Sequence, residues 1–424
     1  MSFLSLNLNL TYQYIHFRHP SSSSVSPIPL TPLPPGISRS FIPTPHGDLE
    51  ILHTTFSSQQ PALFFIHGGM GCASVWLEYL SFFCQQQPSI PCYAISMRGH
   101  GGSWYPSYLR MVYGTTKGDL TGDVVSGIRW AADRERGQQQ QGQGVIKGQG
   151  EEVGKGVDVD VDYVEAKQEV EMVLIGHSSG GCLAQYILSA GLLGGLSVKI
   201  KGLVLMGAVP GFGSPIYLTW FRLDPLFALR LLLHLGHPNS PLSHPSLVRL
   251  IFFSDHHHHQ LPDSYLSRFM SFMSRYESLL WPIGMALSFA DPEKVLLRIS
   301  GWGEETTTKQ EQKQKRGQED SRVLVIAGER DKIMTQPIMQ RLSEWYRAAY
   351  ERLAVEEKKI DGVVVVLGEN GTVDGEVEGS RGPKDTAGRG VRFALVPGAG
   401  HHCQNDVGWE VGARKVLAFY RQLL

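Results

Sequence analysis

Two adjacent serines sit in a frame of glycines in the stretch "LIGHSSGGCLAQ", residues 174–185. The spacing Gly176-His177-Ser178-Ser179-Gly180 is the G-x-S-x-G pattern of a nucleophile carried on a sharp turn from strand to helix. Such a turn strains the backbone of its central residue and leaves no room for side chains on the flanking glycines. It lifts the hydroxyl of Ser178 off the sheet and sets the next backbone N–H at a helix N-terminus, where an anion is stabilised. A serine hydroxyl is a weak nucleophile, so it needs a base, and the base needs an orienting carboxylate. In an open α/β sheet these follow in the order Ser, Asp or Glu, His. "VIAGERDKI" supplies Asp331, with Glu329 just before it, and "VPGAGHH" supplies His401 and His402. On the residues alone both pairs remain open. The plain alternative for Ser178 is a glycine-rich turn without chemistry. It is weakened by the acid and base candidates that follow in the right order.

These residues need strands to hold them. "ALFFIHGG" (62–69), "CYAISMRGHGGS" (92–103), "EMVLIGHSSGG" (171–181), "GLVLMGAVPG" (202–211), "RVLVIAGERD" (322–331) and "VRFALVPGAGHH" (391–402) share one form. Each is a short apolar run closed by Gly or Pro, as expected of a strand buried on both faces of a parallel sheet. Helical patterns lie between them. Val124, Val125, Ile128 and Ala131 recur at helical spacing, and "QPIMQRLSEWYRAAYERL" follows Thr335 as a cap with Pro337 in its first turn. The expected fold is α/β, a mostly parallel sheet flanked by helices. Ligands of such sheets bind beyond the carboxyl ends of the strands, where every glycine cluster falls. From 212 to 302 no strand is evident. "IYLTWFRLDPLFALRLLLHL", "SLVRLIFFS" and "YLSRFMSFMSRYESLLW" read as helices, the last with Leu266, Phe269, Met270, Met273 and Tyr276 on one face. This is the pattern of an inserted helical cap.

The expected organisation is a disordered leader at 1–38, a core at 39–210 with a low-complexity insertion at 137–161, a cap with a charged linker at 211–320, and a second core part at 321–424 with an insertion at 356–390. The polar, glycine-rich insertions lack the apolar surface that offsets the entropy of ordering. The insertion at 356–390 contains "GVVVVLG", a candidate extra strand. The chain has 424 residues, 42% of them hydrophobic, and a net charge of -1, with no basic excess for nucleic acid. Nothing in the composition fixes an oligomeric state. Cys72, Cys84, Cys92, Cys182 and Cys403 are odd in number and show no metal spacing, which suits a reducing compartment. Residues 1–47 contain no Asp or Glu, only Arg18 and Arg39, and no uninterrupted apolar run of a secretory signal. The expected location is cytoplasmic, with a mitochondrial transit peptide as the alternative. The best membrane-span candidate, 216–235, carries Arg222, Asp224, Pro225 and Arg230, so no stable membrane insertion is expected. Histidines 256–259 point in different directions on any regular backbone, and no metal or cofactor is expected.

In order, "FFIHGGMG", "MRGHGGS", "IGHSSGG", "IAGERDKI" and "VPGAGHH" resemble the successive loops of the α/β-hydrolase fold serine hydrolases, in the esterase and lipase branch with a helical cap. The resemblance covers residues 39–210 and 322–424 outside the insertions. It implies Ser178 as nucleophile, Asp331 as acid and His401 as base, the last through the family's Gly-x-Gly-His spacing. It also implies an oxyanion hole from the backbone N–H of Ser179 and of Gly69, with Met70 next. His67, His100 and Arg98 are expected to hold their loops, and Cys182 and Cys403 to be packed as small apolar residues. "SMRGHG" lacks the Asp that many relatives carry ahead of the Arg, a residue outside the triad. The function implied is hydrolysis of a small-molecule carboxylic ester, apolar or lipid-like, through an acyl-enzyme. Amide, carbon–carbon bond or perhydrolase chemistry with the same triad is the alternative, as is a non-catalytic binding protein on the same fold.

Overall fold

The six apolar runs become neighbours in one sheet. In a computed structural model, described over residues 30–56, 60–144, 168–254, 261–302, 321–356, 371–372 and 385–424, the strands are β1 (Ile37–Ile42), β2 (Leu49–Thr54), β3 (Ala62–Ile66), β4 (Cys92–Ile95), β5 (Val170–His177), β6 (Val198–Met206), β7 (Val323–Gly328), β8 (Gly371–Thr372), β9 (Thr386–Gly388) and β10 (Val391–Val396). Their order is β1-β2-β4-β3-β5-β6-β7-β10-β9-β8. The run from β4 to β10 is parallel throughout. β3 and β7 are buried at every position, which is why they read as unbroken apolar runs rather than as alternating ones.

The two edges are antiparallel and lie outside the six apolar runs. β1 pairs with β2 and β2 with β4. β9 pairs with β10 and β8 with β9, so part of the insertion at 356–390 extends the sheet. "GVVVVLG" lies outside the described residues. β1 starts at Ile37, inside the segment expected as a leader.

The helices α1 (Leu77–Cys84), α2 (Tyr108–Gly114), α3 (Lys117–Gly144) and α4 (Ser179–Ala190) come before the inserted segment, and α11 (Gln336–Glu351) and α12 (Trp409–Gln422) after it. In α3 the expected stripe of Val124, Ile128 and Ala131 is buried. That helix runs on through Gly137 to Gly144, so the first insertion begins as helix rather than loop. Extending an existing helix needs no new nucleus, and glutamine tolerates it well. The rest of that insertion lies outside the described residues. Thr335 is the residue before α11, with Pro337 in the first turn, but its side chain makes no capping bond.

Between β6 and β7 the chain forms α5 (Ile216–Leu223), α6 (Phe227–Leu233), α7 (Pro245–Phe252), α8 (Asp263–Ser271), α9 (Leu280–Ile283) and α10 (Pro292–Leu296). One expected helix is cut short. α8 ends at Ser271, and Met273 and Tyr276 lie beyond it. The cause is docking onto the sheet's loops: Ser274 N–H donates to the Met70 carbonyl at 2.8 Å, and Tyr276 Oη donates to the Pro106 carbonyl at 3.0 Å. No described helix is long and apolar enough to cross a membrane.

Candidate active site

After β3 the chain adds β4 on one side and β5 on the other. Such a reversal of strand order opens a crevice at the carboxyl ends of the strands. The loop after β3 and the turn after β5 meet there. Ser178 takes φ 52° and ψ −124°, a strained conformation for a residue with a side chain. The flanking glycines make that turn possible. A Cβ on Gly176 would come within 2.5 Å of the Gly181 Cα, and one on Gly180 would collide with the carbonyl oxygens of Ile66 and His67. A Cβ on Gly181 would collide with that of Ala208, so this third glycine lets α4 approach the chain leaving β6.

The strand ends bring three expected side chains into a line. His401 Nε2 lies 2.9 Å from Ser178 Oγ, and His401 Nδ1 lies 2.8 Å from Asp331 Oδ2. The other carboxylate oxygen of Asp331 accepts the N–H groups of Ile333 and Met334 at 2.8 and 2.9 Å, which fixes the carboxylate plane. The rivals lie elsewhere. Glu329 accepts the Gly398 N–H at the surface. His402 packs against His177, Phe252 and Phe269, with Asn405 beside its Nδ1. Burial, with the charge of His401 next, pushes the His402 imidazole down to about 3.

Of the N–H groups expected to bind an oxyanion, those of Gly69 and Met70 already have side-chain partners. Ser179 opens α4, with its backbone N–H in the first turn. Gly69 N–H donates to Ser179 Oγ at 2.6 Å, and Met70 N–H donates to Glu277 Oε2, also at 2.6 Å. Met70 has φ 63° and is gripped by the inserted segment at both its N–H and its carbonyl.

The loop histidines divide by hydrogen bonding. His67 accepts the Met97 N–H at Nε2 and lies 2.8 Å from the Gly68 carbonyl at Nδ1, an arrangement of the neutral ring. Burial, and then the charge of His100, lowers its pKa well below the ordinary value. His100 pairs with Glu277 at 2.9 Å. Burial pulls its pKa down, but the charge and hydrogen bond of Glu277 outweigh this and raise it. Arg98 is held by both carboxylate oxygens of Asp123 at 2.7 and 2.8 Å. Cys182 and Cys403 are buried, which raises the pKa of both thiols.

Two acidic residues escaped the sequence reading. Glu277 lies in an apolar helical pattern and resembles a solvated residue. Asp406 accepts the N–H groups of Gly400 and Ser254 at 2.7 and 2.8 Å, tying the histidine loop to the inserted segment. Its only sequence signal was nearness to "GHH".

Ser178 and His401 open into a cavity of about 890 Å³, its open mouth included. Ile216, Trp220, Phe227 and Leu231 of α5 and α6 give it an apolar wall, and Gly69 and Ser179 also line it. Among the described residues no group of three His, Cys, Asp or Glu side chains is placed to hold a metal, and the histidine run lies outside them.

Solved structures share this architecture. A bromoperoxidase from Bacillus anthracis is 14% identical, with a TM-score of 0.50, and the match covers 91% of this chain and 100% of that one. A thermophilic esterase from Thermogutta terrifontis is 13% identical, covering 91% and 99%, with a TM-score of 0.48. The 2-hydroxy-6-oxo-6-phenylhexa-2,4-dienoate hydrolase of Rhodococcus sp. strain RHA1 is 14% identical over the same shares, also at 0.48. No curated protein matches the chain. At such identities the likeness speaks for the fold alone. The profile of the Alpha/beta hydrolase family matches residues 63–407, from β3 through the inserted segment to the loop beyond His401, and the chain belongs to that family.

Proposed function

We propose that the chain is a serine hydrolase that cleaves a carboxylic ester with an apolar acyl or alcohol part through an acyl-enzyme. The observation that carries this is the unbroken line Ser178 Oγ, His401, Asp331, at 2.9 and 2.8 Å, with the hydroxyl facing an apolar cavity. Ser178 Oγ attacks the ester carbonyl while His401 Nε2 takes its proton. Asp331 holds Nδ1 and stabilises the imidazolium that forms. His401 returns the proton to the leaving alcohol, and water, activated by the same imidazole, releases the acid.

The developing oxyanion needs aimed donors. The Ser179 and Gly69 N–H groups fill this role, with the oxyanion displacing Ser179 Oγ from Gly69. Gly69 is the easier donor to free, because its N–H is held by a neutral hydroxyl while that of Met70 is held by the Glu277 carboxylate, a stronger acceptor. The wall of α5 and α6 supports an apolar substrate, since enclosing such a group contributes about 25 cal/mol per Å² removed from water.

A fluorophosphonate probe tests the assignment by mass spectrometry. Labelling falls on Ser178, vanishes in Ser178→Ala and persists in Ser179→Ala. Covalent labelling that survives Ser178→Ala overturns it.

A further inference from the structure

We propose that Glu277 sets the charge specificity of the cavity: it admits uncharged groups and turns away substrates that carry a carboxylate on the enclosed group. This rests on the ester-hydrolase reading above and narrows its substrate class. Glu277 comes from the inserted segment and lines the cavity with Ser178, Ser179 and Gly69, and no Lys or Arg shares that lining. Its Oε2 lies 3.8 Å from where a Cβ on Gly69 would sit, so the carboxylate borders the loop that offers the oxyanion donor.

Three groups fix the carboxylate. Met70 N–H and His100 Nε2 meet Oε2 at 2.6 and 2.9 Å, and Ser278 N–H donates to Oε1 at 2.7 Å. His100 Nδ1 lies 2.8 Å from the Arg98 carbonyl, which can only accept. A proton on each ring nitrogen makes the pair an imidazolium and a carboxylate. His100 is fully buried and does not line the cavity. An entering group therefore meets the carboxylate, with the counter-ion behind it. A buried anion without a cation loses its hydration and gains nothing in exchange, and beside a like charge it is also repelled. An uncharged chain suffers neither cost. The residue is thus more than a clamp on Met70: its charge faces the substrate.

The test compares kcat/KM for esters of one chain length. These are p-nitrophenyl hexanoate, mono-p-nitrophenyl adipate, in which a carboxylate replaces the terminal methyl, and p-nitrophenyl ω-aminohexanoate. Hexanoate is expected to exceed adipate by about 100-fold, as a like-charge juxtaposition in an enclosed site implies. The cationic ester should also outrun the anionic one, because the sign of the charge decides and not polarity alone. In Glu277→Gln the hexanoate-to-adipate ratio falls about tenfold or more. Equal use of hexanoate and adipate by the unaltered protein overturns the proposal. So does equal rejection of the cationic and anionic esters, which needs no variant to fold. An unchanged ratio in a Glu277→Gln protein that still takes the phosphonate on Ser178 also overturns it. If no ester is cleaved and Ser178 takes no phosphonate, the hydrolase reading itself fails and the proposal falls with it.

Discussion

The loops of the sheet and the inserted helical segment fasten their polar side chains in different ways. Asp331 and His401 sit just beyond β7 and β10, and Asp331 is steadied by N–H groups of its own turn. Glu277 of the inserted segment is steadied mainly by Met70 and His100, both on loops of the sheet. The sheet thus holds the proposed reacting groups by local geometry, while the segment holds its carboxylate through contacts with the sheet's loops. On this reading the sheet sets the chemical step, and the segment sets what enters.

The largest effect expected from this division is in the sheet. Asp331→Asn leaves the fold intact but turns the imidazole toward the wrong tautomer, and kcat for a p-nitrophenyl ester should fall about 10⁴-fold. KM should change little. A fall of only a few-fold would remove Asp331 from the orienting role and break the division at its core.

That asymmetry explains what the sequence could reveal. Gly176, Ser178 and Gly180 act within one turn, so their spacing alone identified the elbow. Asp331 and His401 were legible because parallel strands place their carboxyl ends together. Choosing between His401 and His402, or between Asp331 and Glu329, from the residues alone was not possible, since neighbours in sequence point to different sides of a loop. Glu277 was hidden for a different reason. Its partner His100 lies 177 residues away, and nothing local distinguishes a docked glutamate from a solvated one. The premature end of α8 was hidden in the same way, because its apolar spacing continues while a tertiary hydrogen bond from Ser274 to Met70 diverts the backbone. Antiparallel edges such as β1 and β9 carry no burial on both faces and so lack the signal that exposed the inner strands.

A smaller effect sharpens the other side of the comparison. Leu231 of α6 is half-buried on the cavity wall and makes no part of the Ser178–His401–Asp331 line. Leu231→Ala removes apolar contact from a long acyl chain, at about 1–2 kcal/mol, so KM for a hexanoate ester should rise about tenfold. The kcat should hold within a few-fold, and an acetate ester, too short to reach the wall, should be nearly unaffected. Equal losses for acetate and hexanoate would mean that α6 shapes the chemical step and not only entry.

The smallest effect concerns the joints between the two regions, which respond to pH with opposite signs. The pKa of His100 is raised by its partner in the inserted segment. The stabilisation from that joint is fully present below the unfolded value of about 6.5 and is lost as pH rises through the folded value. His402 sits at the other joint, among Phe252, Phe253 and Phe269 of the inserted segment and His177 of the sheet. Its folded value, pushed down to about 3 mainly by burial, lies below the unfolded one. Between those values the unfolded chain binds the extra proton, so stability falls as the solution is acidified from about 6.5, by up to about 1.4 kcal/mol per pH unit. His402→Phe removes that proton site and keeps an aromatic ring among aromatic neighbours. Denaturant unfolding at pH 7.5 and 5.5 should therefore show the unaltered protein losing about 1.4 kcal/mol more than the variant on acidification. The variant's stability at pH 7.5 is a separate matter, since the contact with Asn405 is lost at both pH values and cancels in the difference. Parallel pH dependences in the two proteins would mean that His402 is not held neutral in the fold, and that the aromatic joint tolerates a charge.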